Sequence, residues 1–75
     1  MATSSVGVEQ VIPLALIPQA ATDLAKACKR SQLSQTDIVN RAISLYEFIK
    51  SELEAGNNVY VRDHKTGDFQ LVRFL

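Results

Sequence analysis

Apolar positions along the chain change period several times, and each change predicts a different element. Between Glu9 and Ile17 the run is apolar and partly β-branched, with Ile12, Leu14 and Leu16 alternating against Val11, Pro13 and Ala15, as in a short strand. Pro13 has no N–H to give to a ladder, so this strand must sit at an edge or use Pro13 at a non-bonded pair. A two-stranded ribbon is all edge and accepts it. Pro18 then suits the first turn of a helix, although Ile17 before it is a poor N-cap. Ala20, Ala21, Leu24, Ala27 and Cys28 recur at helical spacing while Asp23, Lys26, Lys29 and Arg30 take the other side. This predicts a first helix of about three to four turns with a thin stripe of small side chains.

A turn over Ser31 to Gln35 leads to a second helix. Ser34 with Asp37 three residues on resembles a capping box, in which both side chains satisfy free backbone donors. Ile38, Ala42, Leu45, Tyr46, Ile49 and Leu53 then follow a helical repeat widened by Val39 and Ile43, with Phe48 off the stripe and expected to pack against the C-terminal hairpin. The helix is expected to end near Ala55, where Gly56 supplies a left-handed residue before Asn57 and Asn58. Val59 to Asp63 and Asp68 to Phe74 read as a hairpin around a type I turn at Lys65-Thr66-Gly67. In that register Val59, Val61, Phe69 and Leu71 share one face, and Tyr60, Arg62, Gln70, Val72 and Phe74 the other. A lone hairpin is marginal in water, so this one is expected to pack on the helices, on a second copy or on another protein.

Composition narrows the function classes. A 75-residue monomer buries only about 60% of the surface its unfolded chain exposes, so dimerisation becomes a stability requirement. With 47% hydrophobic and 21% charged residues the chain is too apolar for a disordered tail, and its longest apolar run is too short for a membrane span. Its N-terminus lacks the basic start of a signal peptide, which points to a cytoplasmic protein. Met1 to Val8 is small and polar, an expected mobile arm. One cysteine and one histidine support neither a disulfide nor a zinc site, and no nucleophile motif, phosphate loop or carboxylate cluster is present. No catalytic residue, metal or cofactor is therefore expected. His64 reads as a solvated turn residue and Cys28 as a small hydrophobe. Net charge is zero, with residues 1–50 at +1 and the remainder at −1. The basic cluster to note is Lys26, Lys29 and Arg30, which a dimer presents twice.

From Glu9 to Phe48 the chain resembles the ribbon-helix-helix family, the group of the Arc and MetJ repressors. The resemblance rests on Ile12, Leu14 and Leu16, on Leu24 and Cys28, on the turn Ser31-Gln32-Leu33-Ser34, and on Ile38, Ala42 and Leu45. The stretch from Leu33 to Ala42 is similar to the family's turn and second-helix start. Gly56 and the hairpin are similar to small members from actinobacteria and their phages. The implied fold is mainly α with short β: a homodimer with an intermolecular antiparallel ribbon, two helices per chain, and an added C-terminal hairpin. Residues 1–8 would be the arm, 9–55 the ribbon-helix-helix domain and 56–75 the hairpin, with Ile12, Leu14, Leu16, Leu24, Ile38, Ala42 and Leu45 in the dimer core.

The resemblance also implies a small DNA-binding transcriptional regulator of repressor type. Its ribbon would lie in the major groove with Glu9, Val11, Pro13 and Ala15 facing the bases. The second-helix start at Ser34, Gln35 and Thr36 would hold a phosphate, as free N–H groups and the positive dipole end favour an anion, and Lys29 and Arg30 would add attraction. Val11, Pro13 and Ala15 have no side-chain donor or acceptor, whereas base reading uses such groups. An outward apolar ribbon also suits a protein-binding surface. The alternative is a dimeric interaction protein, antitoxin-like or a phage host modulator, that uses the ribbon or hairpin to bind a protein partner. The hairpin also offers a route to a higher oligomer. Double-stranded DNA is the first expected partner, and a membrane is not expected.

Overall fold

The computed structural model describes residues 7–73. It is mainly helical with a small sheet: α1 (Pro18–Ser31), α2 (Gln35–Glu54), β1 (Tyr60–Arg62) and β2 (Phe69–Leu71). Most of the expected arm, and Phe74 of the expected second strand, lie outside the described residues. The chain divides into two units, Met1–Arg41 and Ala42–Leu75.

In the first unit, residues 7–17 carry no regular secondary structure and have no ladder partner among the described residues. Ile17 is extended and gives no side-chain cap, but its carbonyl accepts from Ala21 N–H at 3.0 Å, and Pro18 opens α1 as its sequence requires. Lys29 and Arg30 in the last turn complement the negative end of the helix dipole. The helix stops because Gln32 turns left-handed at φ 58°, where its N–H donates to Cys28 O at 2.8 Å. Ser31 fastens the turn by donating from Oγ to Ala27 O at 2.7 Å and accepting from Leu33 N–H at 3.3 Å.

The 20-residue α2 begins under Ser34 and ends in a Schellman motif. Gly56 takes φ 89°, its N–H donates to Leu53 O and that of Asn57 to Glu52 O, both at 3.0 Å. A residue with a Cβ pays for that backbone, and glycine does not. Asn57 adds a bond from Nδ2 to Glu52 Oε1.

The hairpin corrects the expected register. Its antiparallel ladder pairs Tyr60 with Leu71, Val61 with Gln70 and Arg62 with Phe69. Phe69 and Leu71 therefore share a face with Tyr60 and Arg62 rather than with Val59 and Val61, and Val61 lies with Gln70. The cause is the loop. Asp63 Oδ1 accepts from Lys65 N–H at 2.8 Å and from Thr66 N–H at 2.9 Å, Gly67 N–H reaches back to Asp63 O, and Asp63 N–H pairs with Asp68 O at 2.7 Å. This closes a loop over His64 to Gly67, one residue longer than Lys65-Thr66-Gly67, and a one-residue change in loop length exchanges the faces of one strand. Gly67 supplies the left-handed position at φ 78°. The two backbone donors, Thr66 first and then Lys65, hold the Asp63 carboxyl below its ordinary value of 3.8. Phe69 and Tyr60 meet edge to face, with ring centroids 6.2 Å apart.

A single copy has almost no core. Ile49, at 8% exposure, is the one buried hydrophobic side chain among the described residues. Phe48, expected to pack against the hairpin, is 60% exposed. Each large apolar side chain left in water forgoes about 1.5–3 kcal/mol of burial. Leu14 at 59% exposure, with Ile12, Leu16 and Leu45 also exposed, leaves the expected dimer-core positions uncovered in one chain; Ala42 is exposed too, and Leu24 and Ile38 are half-buried.

Candidate nucleic-acid interface

The start of α2 is a capped helix end. Ser34 Oγ accepts from Asp37 N–H at 3.1 Å, and Ser34 O accepts from Ile38 N–H at 3.0 Å, so the residue caps the helix with both side chain and backbone. The reciprocal half of the expected capping box does not form. Asp37 Oδ1 is shielded from solvent and has no hydrogen-bond partner, so the carboxylate does not close back on Ser34 N–H. The N–H groups of Gln35 and Thr36, at the first two helical positions, have no intrahelical acceptor by geometry and none elsewhere among the described residues. Both residues are exposed. Asn40, not anticipated from sequence, donates from Nδ2 back to Thr36 O at 2.7 Å, giving one of its two amide hydrogens to the first turn.

Lys29 and Arg30 are exposed at the end of α1 and form no ion pair among the described residues. Gln19 donates to Asp23 at 3.0 Å on the same helix, which occupies the acid nearest the start of α1. Cys28 is a half-buried free thiol on the small-residue stripe. Within residues 18–37, then, four free features lie on two helix ends: two cationic side chains at the close of α1 and two unpaired backbone donors at the opening of α2. Arg41 is exposed one turn further along α2.

The residues expected in the ribbon form no strand ladder among the described residues. Glu9, Val11, Pro13 and Ala15 are exposed, but so are Ile12, Leu14 and Leu16, and no described hydrogen bond separates an inner from an outer face. An alternating strand gains a face only when it pairs. No hydrogen bond or ion pair joins these residues to Ser34, Gln35 or Thr36 among the described residues.

What the sequence missed is all local backbone chemistry: the left-handed Gln32, the Asn40 bond and the Asp63 loop. Only the last had a signal, an aspartate two and three residues ahead of loop N–H groups. Among the described residues no helix is long and apolar enough to cross a membrane, and no group of three metal-ligating side chains is gathered. In comparisons with known proteins, no family model matches the chain, and neither a curated protein nor a solved structure shows significant similarity to it.

Proposed function

We propose that the protein is a small homodimeric DNA-binding regulator of the ribbon-helix-helix type. Two copies pair residues 9–17 as an antiparallel ribbon that enters the major groove, and the start of each α2 holds a phosphate. The observation that carries this reading is the α2 start: a Ser34 cap that fixes the helix end and leaves the Gln35 and Thr36 N–H groups free, directly after an exposed basic helix end. The uncovered Leu14 and Leu16 support pairing, since a second copy is the nearest source of a complementary strand. Phosphate contacts position such a protein, while its apolar ribbon touches thymine methyls and Glu9 accepts from cytosine.

The test is salt dependence. Lys29→Ala with Arg30→Ala removes four cations per dimer, which lowers the log–log salt slope of duplex binding by about 3.6 if each meets one phosphate. An unchanged slope removes these residues from the site.

One observation favours a second reading. Val11, Pro13 and Ala15 are exposed and offer no side-chain hydrogen-bonding group, which suits a dimeric interaction protein whose ribbon seats a protein partner. That protein would show no duplex binding even at low salt.

A further inference from the structure

We propose that the hairpin docks, through its Tyr60, Arg62, Phe69 and Leu71 face, on the α2 helix of a second copy, giving the dimer an interface beyond its N-terminal strands. This rests on the homodimer reading. The face is open to solvent, with Phe69 69% and Tyr60 53% exposed. The ladder continues to Val72, whose N–H donates to Val59 O at 2.8 Å, so strand alternation places Arg73 on the same face and Asp63 and Asp68 on the other. The face is thus aromatic, apolar and cationic, with no acid on it.

Its charge selects the occupant. Two such faces brought together about a two-fold axis would set arginines against arginines, which is destabilising. A complementary surface lies on α2. Leu45, Phe48 and Glu52 follow one another at i, i+3 and i+7 along one strip, which runs beside Ile49, with Leu45 57% and Phe48 60% exposed. Glu47 and Glu52 flank that ring, and from Ala42 to Ala55 the acids Glu47, Glu52 and Glu54 outnumber Lys50. Neither Arg62 nor Arg73 has an ion pair among the described residues, and Glu47 has none either. An aromatic pair at the centre with arginine–glutamate pairs around it is the composition of a specific interface.

A hairpin with three paired residues on each strand is itself marginal in water, and seating it on the partner supplies the missing contacts.

The full-length chain tests this by sedimentation equilibrium, with circular dichroism confirming that helix content is kept. Arg62→Glu with Arg73→Glu is expected to raise the dimer dissociation constant by about tenfold or more, and Phe48→Gln, on the opposite surface, to raise it similarly. Adding Glu47→Arg and Glu52→Arg to the hairpin double variant is expected to recover most of the loss. A dimeric wild type whose dissociation constant none of these variants moves, or a loss that the charge reversal fails to recover, overturns the docking and leaves the homodimer standing. A monomeric wild type overturns both.

Discussion

Ser34 offers two substitutions that separate stability from the proposed DNA binding. Its Oγ takes the Asp37 N–H at 3.1 Å, one of the orphan donors of α2. Alanine removes that acceptor at an exposed position where water takes over part of the bond, so Ser34→Ala is expected to cost about 1 kcal/mol per chain. For a domain of this size that lowers the melting temperature by about 4–8 °C. Aspartate is as good a cap as serine, and its charge interacts favourably with the helix N-terminus, so Ser34→Asp is expected to keep or slightly raise the melting temperature. The same negative charge stands where the phosphate is proposed to sit. Duplex affinity of Ser34→Asp is therefore expected to fall by at least about tenfold, while Ser34→Ala loses less. Thermal melts followed by circular dichroism and duplex titrations by fluorescence anisotropy read the two effects separately. Wild-type DNA affinity in a stably folded Ser34→Asp would refute phosphate binding at this helix start, and an unchanged melting temperature in Ser34→Ala would refute the energetic role of the cap.

Gln32 holds a left-handed backbone at φ 58°, a conformation that costs a non-glycine residue about 1 kcal/mol. Gln32→Gly is expected to stabilise the protein by about 0.5–1 kcal/mol in urea melts; destabilisation would mean that the Gln32 side chain contributes more than its backbone costs. Leu14→Asp places a charge in each strand of the proposed ribbon and is expected to give an unfolded monomer, because an uncompensated buried charge costs several kcal/mol; a folded monomer in sedimentation would overturn the ribbon. The Asp63 carboxyl titrates below its ordinary value, so its contribution to the hairpin loop is complete above pH 3.8 and is lost as pH falls through the lowered value. Amide exchange at Lys65 and Thr66 should rise over that acidic range in the wild type. In Asp63→Asn the same amides should show no such titration, and an identical acid response would assign it to another group.

The helices were legible in the sequence because their signals are short-range and chemically distinct. Pro18 opens α1, Ser34 caps α2, and Gly56 closes it, each where its backbone preference puts it. The hairpin was legible as an element but not in its register, since Asp63 draws in two loop N–H groups and lengthens the loop by one residue. Gln32 gave no warning, because glutamine has no special preference for left-handed backbone and adopts it here to satisfy the end of α1. The capping box was half legible: serine reached its donor, and Asp37 did not reach Ser34. The candidate DNA contacts divide in the same way. The α2 start depends on one helix and is complete within a chain, whereas residues 9–17 form no strand among the described residues, and the faces proposed for them would be set by pairing.

Selection of bound sequences from a random duplex pool, at low and then physiological salt, tests the proposed function most directly. A two-fold symmetric motif, enriched at both salts and lost in Leu14→Asp, is the expected result. No retention at low salt and no enrichment would contradict a DNA-binding regulator and turn attention to a protein partner for the apolar ribbon.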